Sequence, residues 1–348
     1  MSRLRIAQAG VLALHADLYR ETLLLMRDEV DLVGFFDPDP DAVRSSIPIS
    51  LAHLPLYADL GELLDRTRPD VVMVSGICRD MPAWALRVAE AGSHVWIDKP
   101  VAAHSSQIPP LAEAIARRGL VVACGYTWRF HPITRLLIDL RRDGTLGTPW
   151  SIEFSHITSS VQVRGPWRWQ FDADLSGGGI LNWLAVHWID LMRVIGGSEV
   201  VEVSALEANV SQGVRVEEVA SVGLRFANGM LGSVHIGYLT PGGDELAMGV
   251  RGSNGWARWD FDESRLTVRS SRPSWAGAPR RTFHVPPSAV GGYGPEGMAH
   301  LRAFFAQVRG EQEIDPLQPG LNDARRLLEV VEAAHESART GRLMRLGT

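Results

Sequence analysis

The chain has 348 residues, more than a single hydrophobic core usually serves, so we expect two domains. Its 35 basic and 40 acidic side chains leave a formal net charge of -5, which argues against a nucleic-acid-binding protein, because such a protein needs a clustered basic surface. No apolar stretch is long enough to span a bilayer and no signal-peptide pattern opens the chain, so we expect a cytoplasmic protein without membrane contact.

Strand and helix patterns alternate through the first 125 residues. Short apolar runs predict strands at 4–9, 30–36, 71–74, 95–97 and 120–123. Helical spacing, caps and terminal glycines predict helices between them, including 60–66, 82–91 and 108–118. This order is typical of a doubly wound parallel sheet, so we assign residues 1–125 to a Rossmann domain.

The pattern changes after Pro132, which suits the first turn of a helix over 133–140. Strand-like runs then follow one another, at 150–160, 199–210, 218–227, 229–239, 246–259 and 264–270. Helices are predicted at 180–195, 299–308 and 322–339, and a loop at 271–297. Successive strands favour a large, mainly antiparallel open sheet, so we assign residues 126–348 to a second, α+β domain.

The first strand and the turn after it predict a dinucleotide site. Gly10 is the single glycine of that turn, where a full motif would have three to let the backbone approach a pyrophosphate. Asp37 ends the second strand, where an acidic side chain binds ribose hydroxyls and repels a 2′-phosphate, which favours NAD over NADP. Asp37 could equally form only a turn with the residues that follow it.

Metal chemistry has no support in the sequence. No cluster of Cys and His has metal-ligand spacing, so we expect no metal site. Cys78 and Cys124 lie at or near the ends of apolar runs, so we expect two inert buried thiols.

A family resemblance enters with the run 91–100, AGSHVWIDKP, which resembles the AGKHVLxEKP motif of the Gfo/Idh/MocA oxidoreductases. Further segments resemble motifs of that family in the same order: 125–132 (GYTWRFHP), 144–147 (GTLG), 177–190 (GGGILNWLAVHWID) and 337–342 (SARTGR). The resemblance spans nearly the whole chain.

The resemblance implies hydride transfer between NAD(P) and a hydroxyl carbon of a sugar, cyclitol or related polyol. It also implies a second-domain sheet through which the chain forms a homodimer or homotetramer. The family's catalytic lysine corresponds to Lys99, and the histidine of its Asp-x-x-x-His group corresponds to His187. We expect His187 to be the base and Lys99 to be the positive partner of the developing alkoxide. Trp183 stands at the position of the family's aspartate, so no carboxylate from that position orients the imidazole.

We predict three groups of site residues. The catalytic residues are Lys99 and His187, and no metal ligand is predicted. The predicted cofactor contacts are Gly10, Val11, Leu12, Asp37, Ser75, Gly76, Asp98 and Lys99. The predicted substrate contacts are Tyr126, Arg129, Trp167, Arg168, Trp169, Asn182, Trp183 and His187. The 11 tryptophans, many of them near this last group, favour a carbohydrate-facing surface.

Two alternatives remain beside an ordinary NAD(P)-dependent oxidoreductase. In one, a tightly bound NAD oxidises the substrate transiently and permits elimination or epimerisation. In the other, the protein senses a sugar or dinucleotide without catalysis, which Trp183 motivates.

Overall fold

The computed structural model describes residues 3–13, 15–210, 213–240, 242–286, 290–311 and 314–347. The chain divides into two compact units. The first unit contains Met1–Thr127 and Ser288–Arg325, and the second contains Trp128–Pro287 and Arg326–Thr348.

A six-stranded parallel sheet forms the first unit. Its strands are β1 (Leu4–Ala9), β2 (Val30–Phe36), β3 (Leu56–Tyr57), β4 (Val71–Val74), β5 (His94–Ile97) and β6 (Val122–Cys124). They lie in the order β3-β2-β1-β4-β5-β6. Strands are therefore added in one direction from β1 to β3 and in the opposite direction from β4 to β6, and the order reverses between β1 and β4. The short strands lack a polar face because helices cover both sides of a parallel sheet. The predicted doubly wound fold is confirmed.

The helices of both units were largely anticipated. In chain order they are α1 (Ala16–Leu25), α2 (Pro40–Val43), α3 (Leu60–Thr67), α4 (Met81–Ala91), α5 (Pro109–Arg118), α6 (Pro132–Arg142), α7 (Ser160–Arg164), α8 (Ala173–Ser176), α9 (Val186–Gly196), α10 (Gly294–Val308) and α11 (Leu321–Thr340). Gly92 and Gly119 adopt left-handed φ values and end α4 and α5, as predicted.

Helix α10 packs into the core of the first unit. Leu301, Phe304 and Phe305 are buried in one cluster with Tyr19 and Trp96. Our division at residue 125 had placed this helix in the second domain, because strand-rich sequence precedes it. Its apolar face is instead buried against the parallel sheet, a contact that local sequence does not encode.

A nine-stranded sheet forms the second unit. Its strands are β7 (Pro149–Thr158), β8 (Val200–Ala208), β9 (Val219–Phe226), β10 (Leu231–Gly237), β11 (Asp244–Gly252), β12 (Gly255–Asp260), β13 (Arg265–Ser270), β14 (Arg280–His284) and β15 (Met344–Arg345). Their order is β14-β13-β12-β11-β7-β10-β9-β8-β15. Only the pairing of β7 with β10 is parallel among these described strands, so the predicted mainly antiparallel sheet is confirmed.

The loop predicted over 271–297 was partly wrong. That stretch contains β14 and the start of α10, although residues 287–289 lie outside the described residues. Two arginines precede a short alternating pattern at the edge of the sheet, which the surrounding Pro, Gly and Ser residues masked.

Across the described residues, no helix is long and apolar enough to cross a membrane.

Candidate functional site

The predicted cofactor residues gather at the carboxyl edge of the parallel sheet. Backbone hydrogen bonds hold the ends of neighbouring strands together: Gly10 N to Phe36 O at 2.8 Å, Ser75 N to Ala9 O at 2.8 Å, and Asp98 N to Val74 O at 2.9 Å. The residues after β1 and β4 flank the point where strand order reverses. Open α/β sheets bind ligands at that point, outside the carboxyl ends of their strands.

The turn after β1 manages with one glycine. Gly10 has φ +87°, and a Cβ atom there would lie 1.6 Å from the Ser75 carbonyl oxygen. Val11 donates its backbone N–H to Asp37 Oδ2 at 2.9 Å, and its side chain is buried in a cluster with Phe35. The Val11 side chain therefore points into the core, while Leu12 is exposed. Position 11 therefore does not need a glycine, because the Val11 side chain packs in the core.

Asp37 is buried and both carboxylate oxygens accept backbone N–H groups. Besides the bond from Val11, Oδ1 accepts from Asp39 N at 3.1 Å. The turn geometry that we considered is therefore present. It uses two of about four lone-pair sites on the carboxylate, so acceptor capacity remains for a ligand hydroxyl.

Trp84 borders the same turn and was not predicted. A Cβ on Gly76 would lie 2.6 Å from the indole of Trp84, and one on Gly10 would lie 3.3 Å from it. The buried hydroxyl of Ser75 has no hydrogen-bond partner within the described residues. A tight glycine cradle and an unsatisfied hydroxyl at the strand ends fit a dinucleotide. Trp84 lies on a helix without any motif, so sequence alone carried no signal for it.

Lys99 is the one lysine of the sequence, beside 34 arginines. It directly follows β5 and is only 1% exposed. Its backbone N–H donates to the carboxylate of Asp98 at 2.8 Å. All other lysine or arginine positions of the chain are arginines. The single lysine is thus buried at the sheet edge where ligands bind. A count of lysines would have drawn attention to this position from sequence alone.

His15 and Tyr19, which we did not predict, hold Asp98. His15 Nδ1 lies 2.9 Å from one carboxylate oxygen, and the Tyr19 hydroxyl donates to the other at 3.1 Å. Burial, with a smaller effect of Asp98, raises the pKa of Tyr19 well above its usual value, so Tyr19 stays protonated and can donate. Asp98 therefore anchors the backbone at Lys99 to α1.

Cys78 is also buried, and it lies close enough to Lys99 for the lysine charge to affect the pKa of its thiol. Burial raises the pKa of the Cys78 thiol far above its usual value, although the charge of Lys99 acts in the opposite direction. Cys78 and Cys124 are both free and buried. A buried thiol with a raised pKa is a poor nucleophile, in agreement with the prediction of inert cysteines.

His187, half-buried, lies near the start of α9 in the second unit. A π-helical turn, Leu181–Ala185, leads directly into α9. Single π-turns inside helices are frequent at functional sites. Glu217, which sequence reasoning missed, accepts the N–H groups of Gly179 at 2.7 Å and Leu181 at 2.9 Å. Its buried carboxylate satisfies amides at the start of this helix, and burial raises its pKa.

Trp183, four residues before His187, is buried between two side chains. The ring of Trp169 meets it edge-on, with 5.4 Å between ring centroids. The guanidinium carbon of Arg164 lies 5.9 Å from its ring centroid. The Asn182 amide donates to the carbonyl oxygen of Ser176. Two of the predicted substrate residues, Trp169 and Trp183, are therefore in contact, beside Arg164.

The other predicted substrate residues have different surroundings. Arg129 is buried in an ion pair with Asp190, with Nε donating to Oδ2 at 2.7 Å. Trp167 and Arg168 are exposed. Tyr126 is buried in the first unit. The ion pair gives Arg129 a structural role within the second unit, and its contact with substrate stays a prediction.

Several tryptophans serve the cores rather than a binding surface. Trp188 stacks on Phe154 at 4.1 Å, and Trp259 stacks on Phe261 at 3.8 Å. Trp96 is buried in the first unit. For these three tryptophans, the prediction of a carbohydrate-facing surface was therefore wrong.

Within the described ranges, no group of three or more His, Cys, Asp or Glu side chains has the arrangement needed to hold a metal ion.

Comparisons with known proteins agree with this geometry. Residues 4–126 match the family model described as oxidoreductase family, NAD-binding Rossmann fold, and residues 134–258 match the one described as GFO/IDH/MocA C-terminal domain. The chain is 23% identical to levoglucosan dehydrogenase of Pseudarthrobacter phenanthrenivorans, over 73% of this chain and 74% of that protein. It is 27% identical to myo-inositol 2-dehydrogenase of Thermotoga maritima, over 67% and 68%. A solved levoglucosan dehydrogenase in complex with NADH has a TM-score of 0.88 at 19% identity, with both chains fully covered, so the fold is shared.

Proposed function

The chain belongs to the Gfo/Idh/MocA family of oxidoreductases, and from this membership we propose that it is an NAD-dependent dehydrogenase that oxidises a secondary hydroxyl of a sugar or cyclitol. The named relatives act on a sugar anhydride and a cyclitol, which supports this substrate class. When bound, the nicotinamide supplies the acceptor for the hydride.

The observation that carries this proposal is the buried Lys99. Removing a lysine from water is costly unless a partner or a function compensates, and the sequence places this one directly after a strand at the ligand-binding edge. A lysine ammonium is a compact charge that can donate to an alkoxide oxygen. The Asp98 carboxylate accepts the backbone N–H of Lys99 and so fixes the backbone position from which the Lys99 side chain extends.

His187 is the proposed proton acceptor for the substrate hydroxyl. An imidazole exchanges protons near neutral pH, which suits a general base. Glu217 fixes the start of its helix through two backbone hydrogen bonds. Trp183 stands at the position of the family's aspartate, so that position supplies no carboxylate to orient the imidazole.

Asp37 supports NAD over NADP. Its carboxylate lies at the end of β2 with unused acceptor sites, and a 2′-phosphate there would meet a buried negative charge. We expect Asp37→Ser to lower NAD affinity by about 10- to 100-fold, the effect of losing a charged hydrogen bond, and to lower the preference over NADP with it. The measurement is fluorescence titration with NADH and NADPH. Asp39→Ser, at a neighbouring acidic residue that caps α2, is the control and should leave the ratio unchanged.

The central test compares the wild type with Lys99→Met and His187→Gln in a panel of sugars and cyclitols, followed at the nicotinamide absorbance band. We expect each variant to lose about 10²- to 10⁴-fold in kcat, and His187→Gln to keep NADH affinity within a few-fold. Because Lys99 is the only lysine, biosynthetic labelling with ¹⁵N-lysine marks one side-chain amine, and its NMR signal should shift on addition of cofactor and substrate. Retained activity in Lys99→Met would refute the proposal.

The same panel separates the two alternatives. Product formation without accumulation of NADH would indicate transient oxidation by a retained cofactor. Binding of sugar and NADH without turnover of any substrate would indicate a sensing protein.

A further inference from the structure

An arginine beside Trp183 lacks the partner that its charge requires. One terminal nitrogen of Arg164 is buried and has no hydrogen-bond partner within the described residues. No carboxylate forms an ion pair with it there; the nearby Asp244 acts on it only electrostatically. Buried guanidinium groups are normally paired, so an unsatisfied one points to a ligand.

The surroundings of Arg164 have the composition of a carbohydrate subsite. Its guanidinium lies near the ring of Trp183, which also contacts the ring of Trp169. Trp183 lies in the π-turn that leads into α9, four residues before His187, so the two residues are about one helical turn apart along one continuous helical segment. A ligand whose reacting hydroxyl is at His187 would therefore have another part within reach of Arg164.

Gln170 adds an unsatisfied acceptor to this region. It is 3% exposed, and its Oε1 has no hydrogen-bond partner in the part of the chain that the structure describes. It lies in the chain between Trp169, which contacts Trp183, and Phe171, which meets the ring of Tyr238 at 5.5 Å. An amide oxygen in this position suits a ligand hydroxyl.

Burial keeps Tyr238, a neighbour of Arg164, uncharged. It raises the pKa of Tyr238 far above its usual value, so the phenol is neutral. A neutral sugar hydroxyl would satisfy the Arg164 N–H group, but an anion would also supply the ion pair that Arg164 lacks within the described residues.

We propose that the substrate carries an anionic substituent, and that Arg164 binds it through its guanidinium. The substrate class is then an acidic sugar or cyclitol, with a carboxylate or a phosphate on the carbon skeleton. Both groups accept two parallel hydrogen bonds from one guanidinium, which is the geometry arginine offers. This inference rests on the proposed dehydrogenase function, because it assigns a part of the substrate of that same site.

The test measures kcat/KM for matched compounds with one skeleton: D-glucose, D-glucuronate and D-glucose 6-phosphate, and the corresponding galactose set. We expect at least one acidic member to exceed its neutral counterpart by about 10- to 100-fold, as a charged hydrogen bond would provide. The uronate and phosphate arms identify which anion is bound. An equal or higher kcat/KM for the neutral sugars would overturn the inference and leave the dehydrogenase proposal standing.

The arginine itself is tested with Arg164→Met, which keeps length and removes charge, and with Arg164→Lys, which restores charge without the planar fork. Arg164→Met should raise KM for the acidic substrate about 10- to 100-fold with little change in kcat, and should not alter KM for a neutral sugar. Arg164→Lys should recover part of the loss. Arg142→Met, at an exposed arginine of α6, is the matched control and should behave as wild type.

Calorimetric titration of the acidic compounds provides a readout that does not need turnover. Binding by wild type and loss of binding in Arg164→Met would support the anion subsite even if no compound of the panel were oxidised, in which case only the dehydrogenase proposal fails. Equal affinity of wild type and Arg164→Met for the acids would overturn the anion subsite.

Discussion

Gly10 has a backbone position at the ligand-binding edge that side chains other than hydrogen cannot occupy. Two separate effects act there: a left-handed φ of +87°, and the Ser75 carbonyl oxygen 1.6 Å from the site of a Cβ. The first effect costs about 1–2 kcal/mol for an L-residue. The second requires β1 and β4 to separate where their ends form the cofactor edge, so the steric effect exceeds the conformational one.

We predict that Gly10→Ala lowers the free energy of unfolding by more than about 3 kcal/mol and weakens NADH binding, because the turn must move. Urea denaturation and NADH titration measure the two effects. Gly92→Ala is the matched control, since Gly92 has φ +93° in the same unit but nothing within 4 Å of a Cβ. It should lose only about 1–2 kcal/mol and keep cofactor affinity. Equal losses in the two variants would show that the close approach of Ser75 is unimportant.

The helix that carries His187 depends on a contact from a distant strand region. Glu217 precedes β9, yet its carboxylate accepts the amides of Gly179 and Leu181 at the start of the π-turn. The first turn of a helix leaves N–H groups unsatisfied, and at a buried end these must find acceptors within the protein. Glu217 therefore positions the element that presents the proposed base.

Glu217→Gln should lower kcat without a matching change in KM, because an amide accepts with one oxygen and repels the second N–H. We expect a loss of about 1–3 kcal/mol in stability and a decrease of about tenfold in kcat. Glu218→Gln is the control: Glu218 is also buried, but it accepts from Val210 N at 2.6 Å, away from this helix. It should lose stability and keep kcat. A similar kcat for all three proteins would exclude the positioning role.

The histidine of the last helix, His335, should make stability depend on pH. Its Nδ1 lies 2.8 Å from Glu207, and although burial disfavours the charged ring, Glu207, Glu217 and Glu332 outweigh burial and raise the pKa of His335. A raised folded-state pKa gives stability that is complete below the unfolded value of 6.5 and is lost as pH rises through the folded-state value.

We expect the free energy of unfolding to decrease as the pH rises from 6 to above the folded-state pKa of His335. His335→Gln should have a flatter profile, with the difference from wild type largest at low pH. Urea denaturation at several pH values is the measurement. His53→Gln, at an exposed histidine of the first unit, serves as the control. A wild-type profile in His335→Gln would contradict the assignment.

At the scale of the whole molecule, the nine-stranded sheet has one face without a covering layer among the described residues. Alternate residues of β7 are buried on the side of α9, whereas the opposite face forms an open concave surface of about 1230 Å³. Its lining mixes polar and apolar side chains. It includes Ser155, Ser221, Ser233 and His235, with the apolar side chain of Leu206, 76% exposed, beside them. We propose that this face joins copies of the chain in a homodimer or homotetramer.

Leu206→Lys should therefore weaken self-association by about tenfold or more, because a lysine at a buried interface must lose its hydration. Light scattering coupled to size-exclusion chromatography gives the mass of each variant. Leu25→Lys, at an exposed leucine of α1, should leave the mass of the wild type unchanged. A monomeric wild type would disprove the proposal directly.

Local patterns were enough to predict the longer helices and strands, the doubly wound and open-sheet architectures, and most of the residues that end the strands of the first unit. These follow from local patterns, since strand runs, caps and terminal glycines act within a few residues. Gly10, Asp37, Asp98 and Lys99 were placed at one edge because parallel strands share the direction of their carboxyl ends.

The long-range contacts that support the site residues could be seen only in the folded structure. His15 reaches Asp98 across 83 residues, Glu217 reaches Gly179 across 38, and α10 joins a core built mainly from the first 125 residues. Such contacts depend on how elements pack rather than on local spacing, so one sequence carries no periodic signal for them. Packing also distinguishes the tryptophans. Trp188 and Trp259 stack on phenylalanines in the core, whereas Trp183 lies beside Arg164, which has a nitrogen without a hydrogen-bond partner among the described residues.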